Sequence, residues 1–399
     1  MSAQTRTRHF EPRAALARRT ETIQPFHVME LVKRAARLEA EGRSIVHLSI
    51  GEPDFGAPAP VTRALARALE SHAMSYTAAT GLGSLRAAIA RYYGEQFDVD
   101  LDPARILITA GASGALTLAC AALVDPGDRV LMTDPSYPCN RYFVSAFDGL
   151  PQLVPVGPQT RFQLDGALVD RHWTAGVKGV IVASPANPTG TSIPFDELGR
   201  VLDVVRDRGG FAIVDEIYLG LSYQERPRSA LSLGDDMVVT NSFSKFFNMT
   251  GWRLGWLVVP PGWVPAFDKL AQKLYICASA LAQRAALACF EPETMAIYAE
   301  RREQFRRRRD YIVPALRELG FGVPAEPDGA FYVYIDVSRF TEDSAAFADE
   351  LLEQAGVAIV PGMDFGQYEP KRYMRVSYAN SLDNLQKAVR RIAAHLTRR

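Results

Sequence analysis

The chain has 399 residues, of which 48% are hydrophobic and 23% are charged. This composition is typical of a globular protein, and the length favours two domains. Lysine plus arginine and aspartate plus glutamate are both 45, so the formal net charge is zero, which argues against a dedicated nucleic-acid binder or membrane-surface protein.

The first 22 residues are rich in arginine and show no apolar periodicity, so we expect an N-terminal arm. This arm lacks the apolar stretch that a secretory signal needs. No apolar run reaches the roughly 18 residues of a membrane helix. The four cysteines form no CxxC pair and suggest neither a zinc site nor a disulfide framework. We therefore expect a cytoplasmic protein that does not bind membranes.

Residues 25–41 carry apolar side chains at helical spacing, and Gly42 follows as a helix stop. A short apolar strand at 44–50 runs into a turn-rich loop. From about residue 61, helical segments alternate with apolar, β-branched runs that predict strands at 105–109, 129–133, 179–183, 210–214, 237–240 and 254–259. This alternation is typical of a mostly parallel sheet with helices on both faces.

After about residue 282 the pattern changes. A helix with six arginines between positions 301 and 309 leads into predicted strands at 331–335 and 374–378, which indicates a smaller α+β part. Acidic residues at 300, 303 and 310 accompany the arginines, so we interpret the run as a solvated helix face rather than a site for an acidic partner.

Polar side chains repeatedly follow the carboxyl ends of the predicted strands. They occupy 134–137, 184–190, 215–218 and 242–253. In open α/β sheets ligands bind at that edge. The sequence therefore predicts a single site assembled from these four segments.

Lys245 stands among aromatic and hydroxyl residues in SFSKFFNMTGWR (242–253). Burying an unpaired ammonium is costly, so its role needs an explanation. A lysine that extends to water and a lysine that forms a Schiff base both fit, and the second needs a partly desolvated amine. The hydroxyls of Ser242 and Ser244 and the cation of Arg253 suit a phosphate better than a carboxylate, but this stretch alone leaves both interpretations of Lys245 open.

Gly111, Ala112 and Ser113 open a predicted helix directly after a strand. Free backbone N–H groups at such a start favour an anion. A plain helix cap made by Ser113 is the alternative. The segment has the spacing of neither a P-loop nor a dinucleotide fingerprint.

Four further side chains each allow two or more interpretations. Asp215 could cap a helix, bind a metal or pair with a protonated ring nitrogen, and a metal is disfavoured because no histidine lies in these loops. Tyr137 could stack on a flat ring or pack in the core. Asn187 lies in a stiff turn with two X-Pro bonds, where cis bonds occur. Arg375 alternates with apolar residues, so it faces either an anionic partner or solvent.

Seven motifs occur in one order along the chain: GEPDF (51–55), TAGASGAL (109–116), DPSYP (134–138), SPANPTG (184–190), VDEIY (214–218), SFSKFFNMTGWRLGW (242–256) and MRVSYA (374–379). Together they resemble the class I and II aminotransferases of the aspartate aminotransferase fold, which are fold-type-I enzymes that use pyridoxal 5'-phosphate. The resemblance extends from about residue 23 to about residue 391.

The resemblance implies roles around the cofactor ring. Lys245 resembles the lysine that forms the internal aldimine, and Asp215 resembles the partner of the pyridine N–H. Tyr218 and Asn187 resemble the donors to the ring's phenolic oxygen, and Tyr137 resembles the aromatic residue that stacks on the ring.

At the phosphate, the resemblance implies a cup made by the helix start at 111–113, Ser242 and Arg253. Tyr76 resembles the tyrosine that reaches the phosphate of the neighbouring subunit's cofactor, so a homodimer with shared active sites is implied. Arg375 resembles the arginine that binds the substrate α-carboxylate, with Asn187 and the backbone of Gly51 assisting.

The implied function is an aminotransferase that moves an amino group from an L-amino acid to a 2-oxo acid by a ping-pong mechanism. A C–S lyase or a related elimination enzyme on the same fold is the alternative. The donor stays open, because residues 273–280 contain no arginine for a dicarboxylate, and Arg141 either contacts the side chain or is structural. A non-catalytic regulator is disfavoured, since the roughly 20 residues before the first helix are too few for a DNA-binding domain.

The predicted architecture is an α/β fold with a mostly parallel seven-stranded sheet sandwiched by helices. We expect the arm at 1–22, a large cofactor-binding domain at 61–290, and a small α+β domain formed by 23–60 and 291–399.

Overall fold

The structure, a computed structural model, describes residues 16–17, 19–23, 27–71 and 75–398. Most of the expected arm, at 1–15 and 18, lies outside these residues, as does the start of the helix predicted at 25–41.

The strands are β1 (Val46–His47), β2 (Ile106–Thr109), β3 (Arg129–Asp134), β4 (Leu150–Pro155), β5 (Val177–Ala183), β6 (Phe211–Asp215), β7 (Val238–Ser242), β8 (Gly255–Val258), β9 (Tyr332–Asp336), β10 (Val357–Ala358), β11 (Val360–Pro361) and β12 (Tyr373–Ser377). The helices are α1 (Arg19–Thr22), α2 (His27–Ala40), α3 (Ala59–Glu70), α4 (Gly83–Phe97), α5 (Gly111–Leu123), α6 (Cys139–Ser145), α7 (Gly166–His172), α8 (Phe195–Asp207), α9 (Val264–Leu274), α10 (Ala280–Ala286), α11 (Pro292–Glu318), α12 (Ser344–Glu350) and α13 (Leu382–Arg398).

Seven strands form the main sheet in the order β2-β8-β7-β6-β5-β3-β4. β8 pairs antiparallel with both of its neighbours, and the remaining pairs are parallel. The predicted α/β fold with a mostly parallel seven-stranded sheet is thus confirmed.

The sheet is buried on both faces. In β5, Val180 and Val182 pack into one apolar cluster, while Ile181 between them packs into a second. Because successive strand residues point to opposite faces, a strand buried on both sides must be apolar throughout. This explains why the central strands were visible as uninterrupted apolar runs.

The sequence did not predict β4, which lies at one edge of the sheet. It begins Leu150-Pro151 and ends at Pro155. Proline cannot donate a ladder hydrogen bond, so prolines weaken the sequence pattern of a strand but are tolerated at a sheet edge.

The N- and C-terminal parts of the chain pair with each other. β1 runs parallel to β10, with Val46 opposite Val357. β11, β12 and β9 form an antiparallel sheet of three strands. None of the helices in the described part of the chain is long and apolar enough to cross a membrane.

The interpretation of the arginine run on α11 as a solvated face is wrong for two of its members. Arg308 is 7% exposed and binds both oxygens of Asp54 at 2.7 and 3.0 Å. Arg301 donates to Gly56 O and to Asn248 Oδ1, each at 2.7 Å. Positions seven apart lie on one side of a helix, and this side packs against the GEPDF loop.

Candidate active site

The four predicted segments meet at one edge of the main sheet. β3, β5, β6 and β7 all end there, and α5 begins there after β2. Together with residues from the C-terminal part they line a cavity of about 310 Å³. The parallel arrangement explains the convergence, because parallel strands bring their carboxyl ends to the same edge.

Lys245 lies just after β7 and turns its amine into this cavity. Its Nζ donates to the carbonyl oxygen of Gly51 at 2.5 Å. Burial lowers the pKa of the amine to about 8 from an ordinary 10.5, and the nearby Arg375 cation acts in the same direction, while Glu52 opposes it. About a tenth of the amine is therefore neutral at pH 7, far more than for an ordinary lysine, and a nucleophilic lysine needs this neutral form.

Asp215 is the last residue of β6 and is 6% exposed. Its Oδ1 accepts hydrogen bonds from Ile217 N at 3.1 Å and from Thr240 Oγ1 at 3.2 Å. Burial raises the pKa of this carboxyl to about 6, and the two hydrogen bonds act against the increase. Among the described residues no cluster of His, Cys, Asp and Glu could hold a metal ion, so the metal interpretation has no support.

The start of α5 is held against Arg253. Gly111 has φ +74°, and a Cβ at this position would lie 2.6 Å from Arg253 Nη2, so only glycine fits. The N-cap residue is Ala110, whose side chain makes no capping hydrogen bond, and the alternative of a cap made by Ser113 is therefore wrong. The first N–H groups of α5 have no side-chain cap, and the Arg253 cation lies beside them. Free N–H groups next to a cation favour the binding of an anion.

Two serine hydroxyls line the same cavity as this anion site. Ser242 Oγ and Ser244 Oγ are 2.9 Å apart, and Ser242 Oγ also contacts Leu254 O at 3.1 Å. Ala112, Ser113, both serines and Arg253 all line the cavity. The structure thus brings together every residue that was predicted for a phosphate cup within this subunit.

Tyr137 and Asn187 also reach the cavity. The half-buried ring of Tyr137 lines one wall, and Ala183 lines the cavity as well. Burial raises the pKa of the Tyr137 phenol, so it stays protonated. The peptide bonds Ser184-Pro185 and Asn187-Pro188 are both cis, as the proline-rich turn allowed.

Arg375 points inward from β12, the middle strand of its sheet, and is 5% exposed. Its Nη1 donates to Asn187 Oδ1 at 2.9 Å and its Nη2 to Ser49 O at 2.7 Å. The guanidinium lies between the rings of Tyr332, at 4.5 Å, and Phe365, at 4.9 Å.

In the part of the chain that the structure describes, the hydrogen-bond acceptors of this guanidinium are neutral oxygens, and its Nε is buried without a hydrogen-bond partner. A buried guanidinium with unused donors that lines a cavity is suited to bind an anion there.

The structure does not bring Tyr76 to this cavity, since its side chain is 81% exposed. Gly51 does line the cavity, with its carbonyl turned to Lys245. Arg141 donates to Phe365 O at 2.9 Å, which supports the structural interpretation of that arginine.

Sequence reasoning missed Tyr332, Phe365 and Ser49. Tyr332 lies on β9, where its apolar neighbours made it look like core. Phe365 lies in a short irregular segment with no periodicity. Ser49 contributes a backbone carbonyl, which no side-chain pattern can reveal.

Known proteins resemble this chain over almost its full length. A family model described as Aminotransferase class I and II matches residues 43–392. The valine–pyruvate aminotransferase of Mycobacterium tuberculosis is 41% identical over 376 residues, which cover 94% of this chain and 97% of that protein.

Solved structures agree with this similarity. The crystal structure of an aminotransferase from Mycobacterium tuberculosis matches with a TM-score of 0.93 at 40% identity, covering 97% of this chain and 100% of that one. The aspartate aminotransferase from Thermus thermophilus with maleate matches with a TM-score of 0.90 at 32% identity, covering 96% and 99%.

Proposed function

The chain belongs to the class I and II aminotransferase family, and we propose that Lys245 carries its chemistry and that neutral, apolar amino acids are its donors. It is a pyridoxal-phosphate-dependent transaminase, which moves amino groups from amino acids to 2-oxo acids, and the names of its relatives do not favour the alternative of an elimination enzyme. The observation that carries the proposal is the Lys245 amine, held in one cavity with the buried carboxylate of Asp215 and the buried cation of Arg375.

The residues present fit pyridoxal phosphate. The uncapped start of α5, the Arg253 guanidinium and the serine hydroxyls would hold the phosphate, in a cradle that a Cβ on Gly111 would fill. Asp215 would pair with the ring nitrogen, and the Tyr137 ring would stack on the cofactor. Tyr218 and Asn187 would donate to the phenolic oxygen.

When bound, the cofactor supplies an aldehyde that joins to amines and a ring that withdraws electrons from the attached Cα. Asp215 keeps a proton on the ring nitrogen, because an ionised carboxylate in a buried site stabilises a neighbouring cation strongly. Its Oδ1 is fixed by Thr240 and Ile217, so the carboxylate is already oriented.

Lys245 has two tasks in this account. Its amine would hold the aldehyde carbon of the cofactor until a substrate amine replaces it. As a general base, the Lys245 amine would take the proton from the substrate Cα, which a pKa of about 8 suits at neutral pH.

Arg375 would bind the substrate α-carboxylate. The N–H groups of Nη1 and Nη2 that Asn187 and Ser49 do not use form a fork that matches two carboxylate oxygens. The flanking rings of Tyr332 and Phe365 fix the plane of that fork. A fixed carboxylate orients the Cα–H bond toward Lys245, which lowers the entropic cost of the proton transfer.

The wall of the cavity supports neutral donors. Val28, Met29, Pro138 and Phe365 are apolar and line it. Within the described residues its cations are Lys245, Arg253 and Arg375, and each already has a partner in the account above. A second carboxylate in the donor would therefore lack a cation from this subunit. The name of the Mycobacterium tuberculosis relative, a valine–pyruvate aminotransferase, agrees with this preference.

We also propose a homodimer with shared active sites, a cytoplasmic location and two domains. The exposed ring of Tyr76 is free to reach a partner subunit's phosphate site. The four cysteines are free thiols, as expected in a reducing compartment. Residues 61–290 contain the seven-stranded sheet, while 23–60 and 291–399 contain the smaller ones, so these ranges would form the large and small domains.

A donor and acceptor screen tests the proposed function. The purified enzyme, saturated with pyridoxal phosphate, receives valine, leucine, phenylalanine or aspartate together with pyruvate or 2-oxoglutarate. We expect kcat/KM for the apolar donors to exceed that for aspartate by at least about tenfold, since the extra carboxylate would be buried without a cation. A preference for aspartate would contradict the apolar wall, and ammonia release without an oxo acid would contradict transamination.

A matched variant sharpens the screen. Met29→Arg places a cation on the apolar wall without touching the cofactor residues. The ratio of aspartate to valine activity should rise in this variant, while an unchanged ratio would show that the wall does not contact the donor side chain.

A further inference from the structure

Two buried tyrosines meet in the cavity wall. Tyr218 Oη and Tyr332 Oη are 3.0 Å apart, and their rings pack edge to face at 83°. Tyr218 is 4% exposed and Tyr332 is 0% exposed. Among the described residues, neither hydroxyl has another hydrogen-bond partner. Two hydroxyls carry two protons, and one contact uses only one of them.

The remaining proton has to point into the cavity, because a buried O–H without an acceptor is costly. The hydroxyl that accepts in the Tyr218–Tyr332 hydrogen bond is the one whose own proton is free for another partner. The backbone of Gly51 lies close to the Tyr332 hydroxyl, since a Cβ on Gly51 would be 3.4 Å from Oη.

The Arg375 guanidinium decides the direction. It lies 4.5 Å from the centre of the Tyr332 ring, and a cation over the ring makes the phenol a better donor. Burial raises the pKa of both phenols, and Arg375 lowers the pKa of both. The cation over the Tyr218 ring, Lys245 Nζ, is farther away, at 6.0 Å. The phenol with the closer cation is the better donor, which favours donation from Tyr332 to Tyr218.

We propose that Tyr332 is a positioning residue of this site, which donates to the Tyr218 hydroxyl and thereby directs the Tyr218 proton to the phenolic oxygen of bound pyridoxal phosphate. The inference rests on the proposed function, since it takes Tyr218 as a donor to the cofactor. Hydrogen bonds in a chain strengthen one another. Arg375, Tyr332 and Tyr218 then form one continuous path from the carboxylate-binding cation to the cofactor.

The consequence is a lower pKa for the lysine-bound cofactor. A donor at the phenolic oxygen stabilises the form in which that oxygen is negative and the nitrogen joined to Lys245 is unprotonated. Loss of the Tyr332 hydroxyl weakens the Tyr218 donor, so the cofactor holds its proton to higher pH. A purely structural tyrosine would change stability without moving this titration.

The test is a pH titration of the visible absorbance band of the loaded enzyme. In Tyr332→Phe we expect the apparent pKa to rise by about 0.3 to 1, as one weakened neutral hydrogen bond allows. Tyr218→Phe should raise it at least as much, and the double variant should titrate like Tyr218→Phe alone, because Tyr332 acts through Tyr218. Tyr298→Phe is the matched control, since this buried hydroxyl contacts Cys289 Sγ at 3.3 Å and does not line the cavity.

A second substitution gives a shift of opposite sign. With 3-fluorotyrosine at position 332 the phenol keeps its size but is more acidic, so the apparent pKa should fall below that of the wild type. This variant retains the hydroxyl and its packing, which keeps the inference testable if Tyr332→Phe folds poorly.

The outcomes separate this inference from the proposed function. If the wild-type band titrates and disappears in Lys245→Ala, the cofactor site is as proposed. An unchanged apparent pKa in Tyr332→Phe, or additive shifts in the double variant, then overturns the role of Tyr332 alone. A wild-type enzyme that binds pyridoxal phosphate without any such band overturns the proposed function and this inference with it.

Discussion

Replacing the buried carboxylate of Asp215 by an amide should stabilise the protein without its cofactor while removing activity. Burial raises the pKa of this acid to about 6 from an ordinary 3.8, so the folded chain holds the proton more tightly than the unfolded chain. The cost of ionising Asp215 therefore appears as the pH rises from about 4 to about 6, and it is complete at about pH 8.

The magnitude follows from that difference in pKa. At about 1.4 kcal/mol for each pH unit, an ionised Asp215 lowers the free energy of unfolding by about 3 kcal/mol at about pH 8. Asp215→Asn removes the charge, and its Oδ1 can keep the hydrogen bonds from Ile217 N and Thr240 Oγ1. The variant without cofactor should gain most of this free energy at about pH 8 and little at about pH 4.

Urea unfolding with and without pyridoxal phosphate measures the effect. With cofactor the gain should vanish or reverse, since the wild-type carboxylate then has a cationic partner, and turnover of the variant should fall by about 10² or more. Glu216→Gln is the control, because Glu216 is also buried, with a pKa raised to about 7, but does not line the cavity. Its change in stability should be the same with and without cofactor. An Asp215→Asn apoprotein that is less stable than wild type at about pH 8 would refute the reasoning.

Three further variants test other parts of the site. Arg375→Lys should raise KM for the donor by about 10²-fold with a smaller change in kcat, because one ammonium cannot replace a two-pronged guanidinium; an unchanged KM would exclude Arg375 as the carboxylate ligand. Asp134→Ala should weaken the hold on the segment that carries Phe365, since the Asp134 carboxylate accepts from Gln367 N at 3.0 Å and Tyr368 N at 3.2 Å. We expect a loss of about 1 to 3 kcal/mol in urea unfolding, because alanine leaves both N–H groups without an acceptor, and no loss would mean that the segment is held elsewhere. Tyr76→Phe should raise the Kd for pyridoxal phosphate by about 10-fold in equilibrium dialysis without affecting the fold, as expected for the loss of one hydrogen bond to a phosphate. An unchanged Kd would contradict the shared site.

The main sheet could be predicted because its central strands are buried on both faces and are therefore apolar throughout. β4 could not be predicted in this way, because it lies at the edge of the sheet and carries Pro151 and Pro155. Part of the arginine run on α11 was misleading for a different reason. Arg308 stands in a charged sequence, yet the helix turns it onto a buried face toward Asp54, which is distant in sequence.

Much of the site could be predicted because its polar residues directly follow strands, so their chain positions already imply a common edge. Lys245, Asp215 and Asn187 were found in this way. Tyr332 and Phe365 could not be, since their importance lies in contacts with the Arg375 guanidinium that only the fold creates. The role of Gly111 became clear only from its φ and its distance to Arg253.

The most direct test of the central claim is to locate the covalent bond between enzyme and cofactor. The loaded enzyme is reduced with borohydride, digested and analysed by mass spectrometry, with Lys245→Ala as the control. The account predicts a pyridoxyl group on Lys245 alone and no label in the variant. A label on another lysine such as Lys178 or Lys273, or a labelled Lys245→Ala protein, would contradict it.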